Sequence, residues 1–282
     1  MSTPKRHHFV PDFLIRNFCV QENKAFWLRK NANLQTPSLM ASDKVFVERH
    51  SNTFEASDGT KAYTVERQLG TLEGPTKLIF DQIKSSASLE KLPGLNLAQR
   101  GTLGEFVLTL YKRSPTIRKK YSSLHLVQEI VAESFLELDD RGMTIDDEMR
   151  KRLSSEDWAK RTGKEITVKA TLAHGDIALP LLAAKGIYVA QPQSPKKSFI
   201  LGSFPLLMLK GELSNGIKDA LSECWLPISP TVALCLYGSA NNEELRRLSD
   251  EHMRYLNRLI WLQSESAIAN SPQLLKSLAF DR

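Results

Sequence analysis

The apolar residues of this chain change their spacing twice, and that change restricts the folds open to it. Up to about residue 60 they come in brief alternating runs, "AFWLRK" at 25–30 and "KVFVER" at 44–49, which read as strands. The polar stretches "NANLQTPS" and "ASDGT" supply the turns after them. From 62 to 184 the spacing becomes three, four and seven, the repeat of a helix that buries one face. In 62–83, Val65, Leu69, Leu72, Ile79 and Ile83 share a face, and Gly74-Pro75 is expected to kink or break the helix.

In 96–121 the stripe is Leu103, Phe106, Val107 and Leu110, with Pro115 kinking or ending its first part. Further helices are expected over 124–138, from an N-cap near Thr144, and over 167–184 with a bend at Pro180. Strand signals return at 185–192, 198–209 and 231–238. The segment 241–270 reads as one long C-terminal helix, with Leu245, Leu248, Met253, Leu256, Ile260 and Ile268 near the helical period. The expected fold is a mostly helical α+β single domain over 1–282, with a small mixed or antiparallel sheet.

Composition narrows the setting. With 41% hydrophobic and 25% charged residues the chain reads as an ordinary globular protein, and its net charge of +6 permits a phosphate-bearing partner without requiring one. Three cysteines, Cys19, Cys224 and Cys235, sit in apolar surroundings without metal-ligand spacing. They read as free thiols in a reducing, cytoplasmic compartment. The N-terminus lacks an apolar signal core, and no apolar run approaches membrane-spanning length, so no membrane partner is expected. The phosphate-loop, dinucleotide, zinc-protease and hydrolase signatures are all missing.

The order of short motifs carries a resemblance. "HHFVPDFLIRNF" resembles the HYVP-type opening of a large microbial family, domain of unknown function 4238, through His8, Phe9, Val10, Pro11, Phe13, Leu14, Arg16 and Phe18. Glu66 and Glu73 look like that family's paired glutamates. "EFVLTLYKRSPTIR" resembles its helix ending in Arg-Thr-Pro, with Arg113 and Pro115 matching and Ser114 in place of Thr. "WLPISPTVALCLYG" resembles its Pro-Leu-Ser-Pro strand, and "LNRLIW" its final helix, here with Asn257. One departure stands out: Ser203 and Phe204 occupy the place of the family's Asp-Asn. A mechanism that needs that carboxylate is therefore in doubt.

Adjacent residues in an extended segment face opposite ways, so His7 and His8 are not expected to share a metal. His8 is expected either to use a ring nitrogen in chemistry or to satisfy a buried carbonyl. Arg16 and Arg113 offer planar forks suited to phosphate or carboxylate, with Glu66 and Glu73 as the obvious partners. That set reads equally as an anion-recognising cleft with a carboxylate base and as a structural Arg–Glu network. The basic run containing Lys112, Arg118, Lys119 and Lys120 is either a solvated helix end or a phosphate-backbone contact. Arg246 or Arg247 with His252 resembles the Arg…His motif of HEPN ribonucleases, but lacks the polar residue after the arginine and is read as coincidence.

Two functional expectations follow. The first is a nuclease or nucleotide- or phosphodiester-processing enzyme that uses His8, Arg16, Glu66, Arg113 and Asn257, with room for a divalent metal. Families of this kind are often met near mobile elements and anti-phage loci, which extends the expectation to a defence effector that contacts nucleic acid or nucleotide. The second is a noncatalytic binding or regulatory module in which the same residues form a buried network.

Overall fold

A computed structural model describes residues 6–30, 36–55, 61–173, 177–209, 216–219, 221–238 and 242–280. The chain opens with β1 (Arg6–His8), a short helix α1 (Asp12–Arg16), β2 (Lys24–Arg29), β3 (Ser38–Ala41) and β4 (Val47–Arg49). A small hairpin of β5 (Phe54–Glu55) and β6 (Lys61–Ala62) leads into the helices. These are α2 (Thr64–Ser88), α3 (Leu97–Arg113), α4 (Pro115–Tyr121), α5 (Leu124–Asp140), α6 (Asp147–Leu153), α7 (Glu156–Ala170) and α8 (Ala178–Ala184). The last part holds β7 (Gly186–Pro192), β8 (Leu201–Gly202), β9 (Leu207–Leu209), β10 (Glu223–Ser229) and β11 (Val232–Tyr237). It finishes with β12 (Glu243–Leu248), α9 (Asp250–Gln263), β13 (Ser266–Ala269) and α10 (Pro272–Phe280).

The fold is α+β and mostly helical. The largest sheet is mixed, in the order β12-β7-β11-β10-β9, with β12 parallel to β7 and the other pairs antiparallel. A second, antiparallel sheet runs β3-β2-β13-β8 and joins the two ends of the chain. Strands β7, β10 and β11 are buried on both faces, which explains their unbroken apolar runs. Leu103, Phe106, Val107 and Leu110 of α3 join the main core, and Phe80, Phe106 and Phe13 form an aromatic knot within it. A smaller cluster of Val65, Leu69 and Val168 ties the start of α2 to α7.

Several local expectations change on folding. Helix α2 runs through Gly74-Pro75 without a break. Pro75 is solvent-exposed, so the Thr71 carbonyl that loses its amide donor can turn to water, while buried Thr76 returns its hydroxyl to Leu72 O at 2.8 Å. The run at 44–49 is a strand only from Val47, because Phe46 adopts a left-handed φ of 53°. The helix expected near Thr144 takes Asp146 as its N-cap. Pro180 bends nothing: it sits in the first turn of α8, where its missing N–H is not required, and residues 174–176 lie outside the described part.

The expected helix over 241–270 is the largest correction. Residues 243–248 pair with β7, Ser249 caps a new helix through His252 N, and Ser266–Ala269 enter the second sheet. Glu, Leu and Arg are good helix formers, but Ala267, Ile268 and Ala269 are fully buried between two strands, and burial outweighs propensity there.

The edge strand β12 is held by a buried ion pair. Glu243 accepts from Arg100 Nη2 at 2.9 Å and from the amides of Gly94 and Leu95 at 2.7 Å each. Arg100 also donates through Nε to Leu95 O at 3.2 Å. Nearby, the buried Lys185 ammonium donates to Asp219 O at 3.1 Å and to Ser222 O at 3.3 Å. Both arginine and glutamate are about nine-tenths covered, so neither charge can be rehydrated alone. Arg100→Met is expected to lose about 3–5 kcal/mol in urea unfolding, because it strands a buried carboxylate. Burial pushes the Cys224 thiol up to about 11 and the Cys235 thiol higher still. Iodoacetamide at pH 8 should therefore leave both unmodified in the native protein and label both once it is unfolded, as read by mass spectrometry.

Candidate functional site

The polar centre of the molecule is the buried turn after β4, where Ser51, Asn52 and Thr53 are all nearly inaccessible. Strand β1 pairs with β4 in the register His7↔Glu48 and His8↔Val47, so the histidines point to opposite faces. His7 is the inward one and is fully buried, and its Nδ1 accepts from Asn52 N at 3.0 Å. Glu66 Oε2 lies 4.0 Å from the same Nδ1. With that nitrogen taken up by the Asn52 amide, the Glu66 approach is not a hydrogen bond through Nδ1.

Asn52 is the junction. Its Nδ2 donates to Glu66 Oε2 at 2.6 Å and its Oδ1 accepts from Arg118 Nη2 at 2.8 Å. Arg118 also donates to Ser51 O at 2.7 Å and to Thr171 Oγ1 at 3.0 Å. Burial, with Arg113 nearby, lowers the Arg118 pKa to about 10, while Glu48 and Glu66 oppose that shift. The guanidinium thus stays charged at neutral pH although its three acceptors are uncharged.

A second network lies alongside. Arg113 donates through Nη1 to Glu73 at 2.6 Å and through Nη2 to the His8 carbonyl, fastening α3, α2 and β1 together. The five residues expected to share one cleft thus separate. Glu66 and Arg113 join these two networks. The His8 ring meets Ser42 O at 3.1 Å, the carbonyl-satisfying role. Arg16 does not meet either glutamate: it pairs with Asp12 at 2.6 Å on the surface of α1. Asn257 lies elsewhere, accepting from Ile200 N at 3.0 Å and donating to Ser198 O at 2.8 Å, which docks α9 on the chain before β8.

Ser203 accounts for the missing aspartate. Its hydroxyl accepts from Glu265 N at 2.9 Å and Ser266 N at 3.3 Å, so the position needs an acceptor for two amides rather than a charge.

Outside the buried turn is an open groove of about 300 Å³ between the β4 turn, α4, the start of α5 and α7. Five cations line it, Arg49, Arg118, Lys119, Lys160 and Lys164, against the carboxylate of Glu48. His50 also lines it. Lys119 meets Glu265 only at 3.7 Å with both side chains about 70% exposed, and Lys160 pairs with Glu156 one turn back on α7, both about 60% exposed. Such exposed pairs are weak and leave the ammonium groups available to a ligand. Gly163 lets α7 approach: a Cβ there would lie 3.1 Å from Val127 and 3.3 Å from Ser122 O.

Of the four basic residues singled out in the sequence, Arg118 and Lys119 line this groove. Lys112 donates to Ala173 O, and Lys120 lies over the Tyr121 ring. Arg49, Lys160 and Lys164 were missed, although the i, i+4 spacing of the two lysines on α7 marks a shared face. Among the described residues no group of three or more His, Cys, Asp or Glu is placed to hold a metal ion, and no helix is long and apolar enough to cross a membrane.

The fold and this geometry define an α+β protein whose buried Arg–Asn–Glu network supports a basic groove. A family model described as "Protein of unknown function (DUF4238)" matches residues 6–273, and the chain belongs to that family. No curated protein and no solved structure matches the chain.

Asn52→Ala removes the acceptor of Arg118 and the donor to Glu66 together. It is expected to lower stability by about 2–3 kcal/mol in chemical denaturation, because both partners are left wanting in a poorly solvated place.

Proposed function

We propose that this protein binds a phosphate-bearing ligand, nucleic acid or nucleotide, in the groove beside the buried turn. The observation that carries this reading is the convergence of five cations from three separate elements on one concavity with one carboxylate. Glu66 and Arg113 act as positioning residues. Glu66 holds Asn52, which orients Arg118, and Arg113 anchors β1, whose partner strand leads into the groove wall. His8 and Asn257 support the backbone, and Arg16 belongs to the surface of α1. The three free thiols support a reducing, cytoplasmic setting.

A second reading, phosphodiester processing, is supported by His50 and Glu48, which bring acid–base groups to the same wall. A divalent ion would then come with the substrate phosphate and Glu48.

Fluorescence anisotropy with a labelled single-stranded oligonucleotide across a salt series tests the binding reading. Wild type should show a steep fall of affinity with salt. Each lysine removed in Lys160→Gln/Lys164→Gln should reduce the slope by about 0.7. Salt-independent binding, or slopes unchanged by the substitutions, would refute it. His50→Ala should keep binding in either case, and should abolish cleavage only if the second reading holds.

A further inference from the structure

The groove is small, about 300 Å³, and its cations come from three separate elements. Arg49 comes from the end of β4, Arg118 and Lys119 from α4, and Lys160 and Lys164 from one face of α7. A polymer backbone is usually met by a stripe of charge, whereas cations closing on about 300 Å³ suit a small anion of high charge. The positive end of α5, with no acidic residue in its first turn, adds to this field at Leu124.

At the groove wall, Arg118 and Ser51 are each 8% exposed, and Arg118 Nε and Ser51 Oγ have no protein partner. Buried donors of this kind normally find an acceptor. The rest of the lining is mixed: Pro115, Leu124 and Val168 supply apolar surface beside Glu48, His50, Ser122 and Thr167. The cations suit a phosphate, and the three apolar side chains interleaved with them offer surface to a sugar or base face.

Building on the phosphate-binding reading above, we infer that the groove takes the terminal phosphate monoester of a nucleotide or of a nucleic-acid end. A monoester carries nearly two charges and three acceptor oxygens, against one charge and two free oxygens for an internal diester, so it uses more of the donors gathered there.

Calorimetry separates these ligands. The probes are adenosine 5′-monophosphate, inorganic phosphate, and one short single-stranded DNA with either a 5′-phosphate or a 5′-hydroxyl. The 5′-phosphorylated DNA and the mononucleotide should bind about tenfold or more tightly than the 5′-hydroxyl DNA. Lys160→Gln/Lys164→Gln should erase that difference, and because both lysines are exposed the variant should fold, which circular dichroism checks. Equal binding of the two DNAs, weakened alike by the substitutions, overturns this inference while leaving phosphate binding in place. Inorganic phosphate binding as tightly as the mononucleotide overturns the part given to the apolar side chains. Binding of no probe, or binding indifferent to the lysines, overturns both readings.

Discussion

A guanidinium is buried behind this groove without a carboxylate in contact, and much of the surrounding structure answers to that constraint. Arg118 cannot give up its proton at neutral pH, and its three acceptors are a backbone carbonyl, an amide and a hydroxyl. Its charge is balanced one step away, through the Asn52 side chain that also binds Glu66. The turn carrying Asn52 must be held rigidly for this to work, and His7 holds it by accepting the Asn52 amide. Strand β1, the β4 turn, the first turn of α2, α4 and the residue after α7 are therefore tied through a single buried charge.

The same logic separates polar residues that serve the backbone from charged ones that stand at the surface. His8, Asn257 and Ser203 satisfy backbone groups, and Arg113 is consumed by Glu73 and a carbonyl. Their roles resemble that of Arg100 with Glu243 at the other end of the molecule, where an ion pair locks an edge strand to the loop between α2 and α3. By contrast, Lys119, Lys160 and Lys164 stand exposed at the groove rim. A buried hydrogen-bonded network behind an exposed charged rim is a workable division of labour for recognising an anion, since the floor is organised before the ligand arrives.

Helix existence was legible in the stripe of Leu103, Phe106, Val107 and Leu110, whose spacing buries one face of α3 in the main core. The partnership of Arg113 with the glutamate helix was legible too, since a guanidinium among apolar neighbours requires an acceptor. The fates of Arg16 and Glu66 were not, because either arginine could have taken either carboxylate and only the path of α1 decides between them. Within 241–270 the helix was legible over Asp250–Gln263, but the flanks misled. Residues 243–248 and 266–269 satisfy a helical period yet pair as strands with β7 and β2, the latter fully burying Ala267, Ile268 and Ala269.

By itself the sequence determined the succession of strand and helix segments, the opposite orientation of His7 and His8, and the need of Arg113 for an acceptor among its apolar neighbours. These follow from periodicity and from the chemistry of single side chains. Only the tertiary structure decided that His7 faces inward, that Asn52 links Arg118 to Glu66, and that lysines of α7 join Arg49 and Lys119 around one groove. The His7–Asn52 and Asn52–Arg118 contacts join residues more than forty positions apart, and which distant segments meet is set by the packing of the whole core rather than by any local pattern.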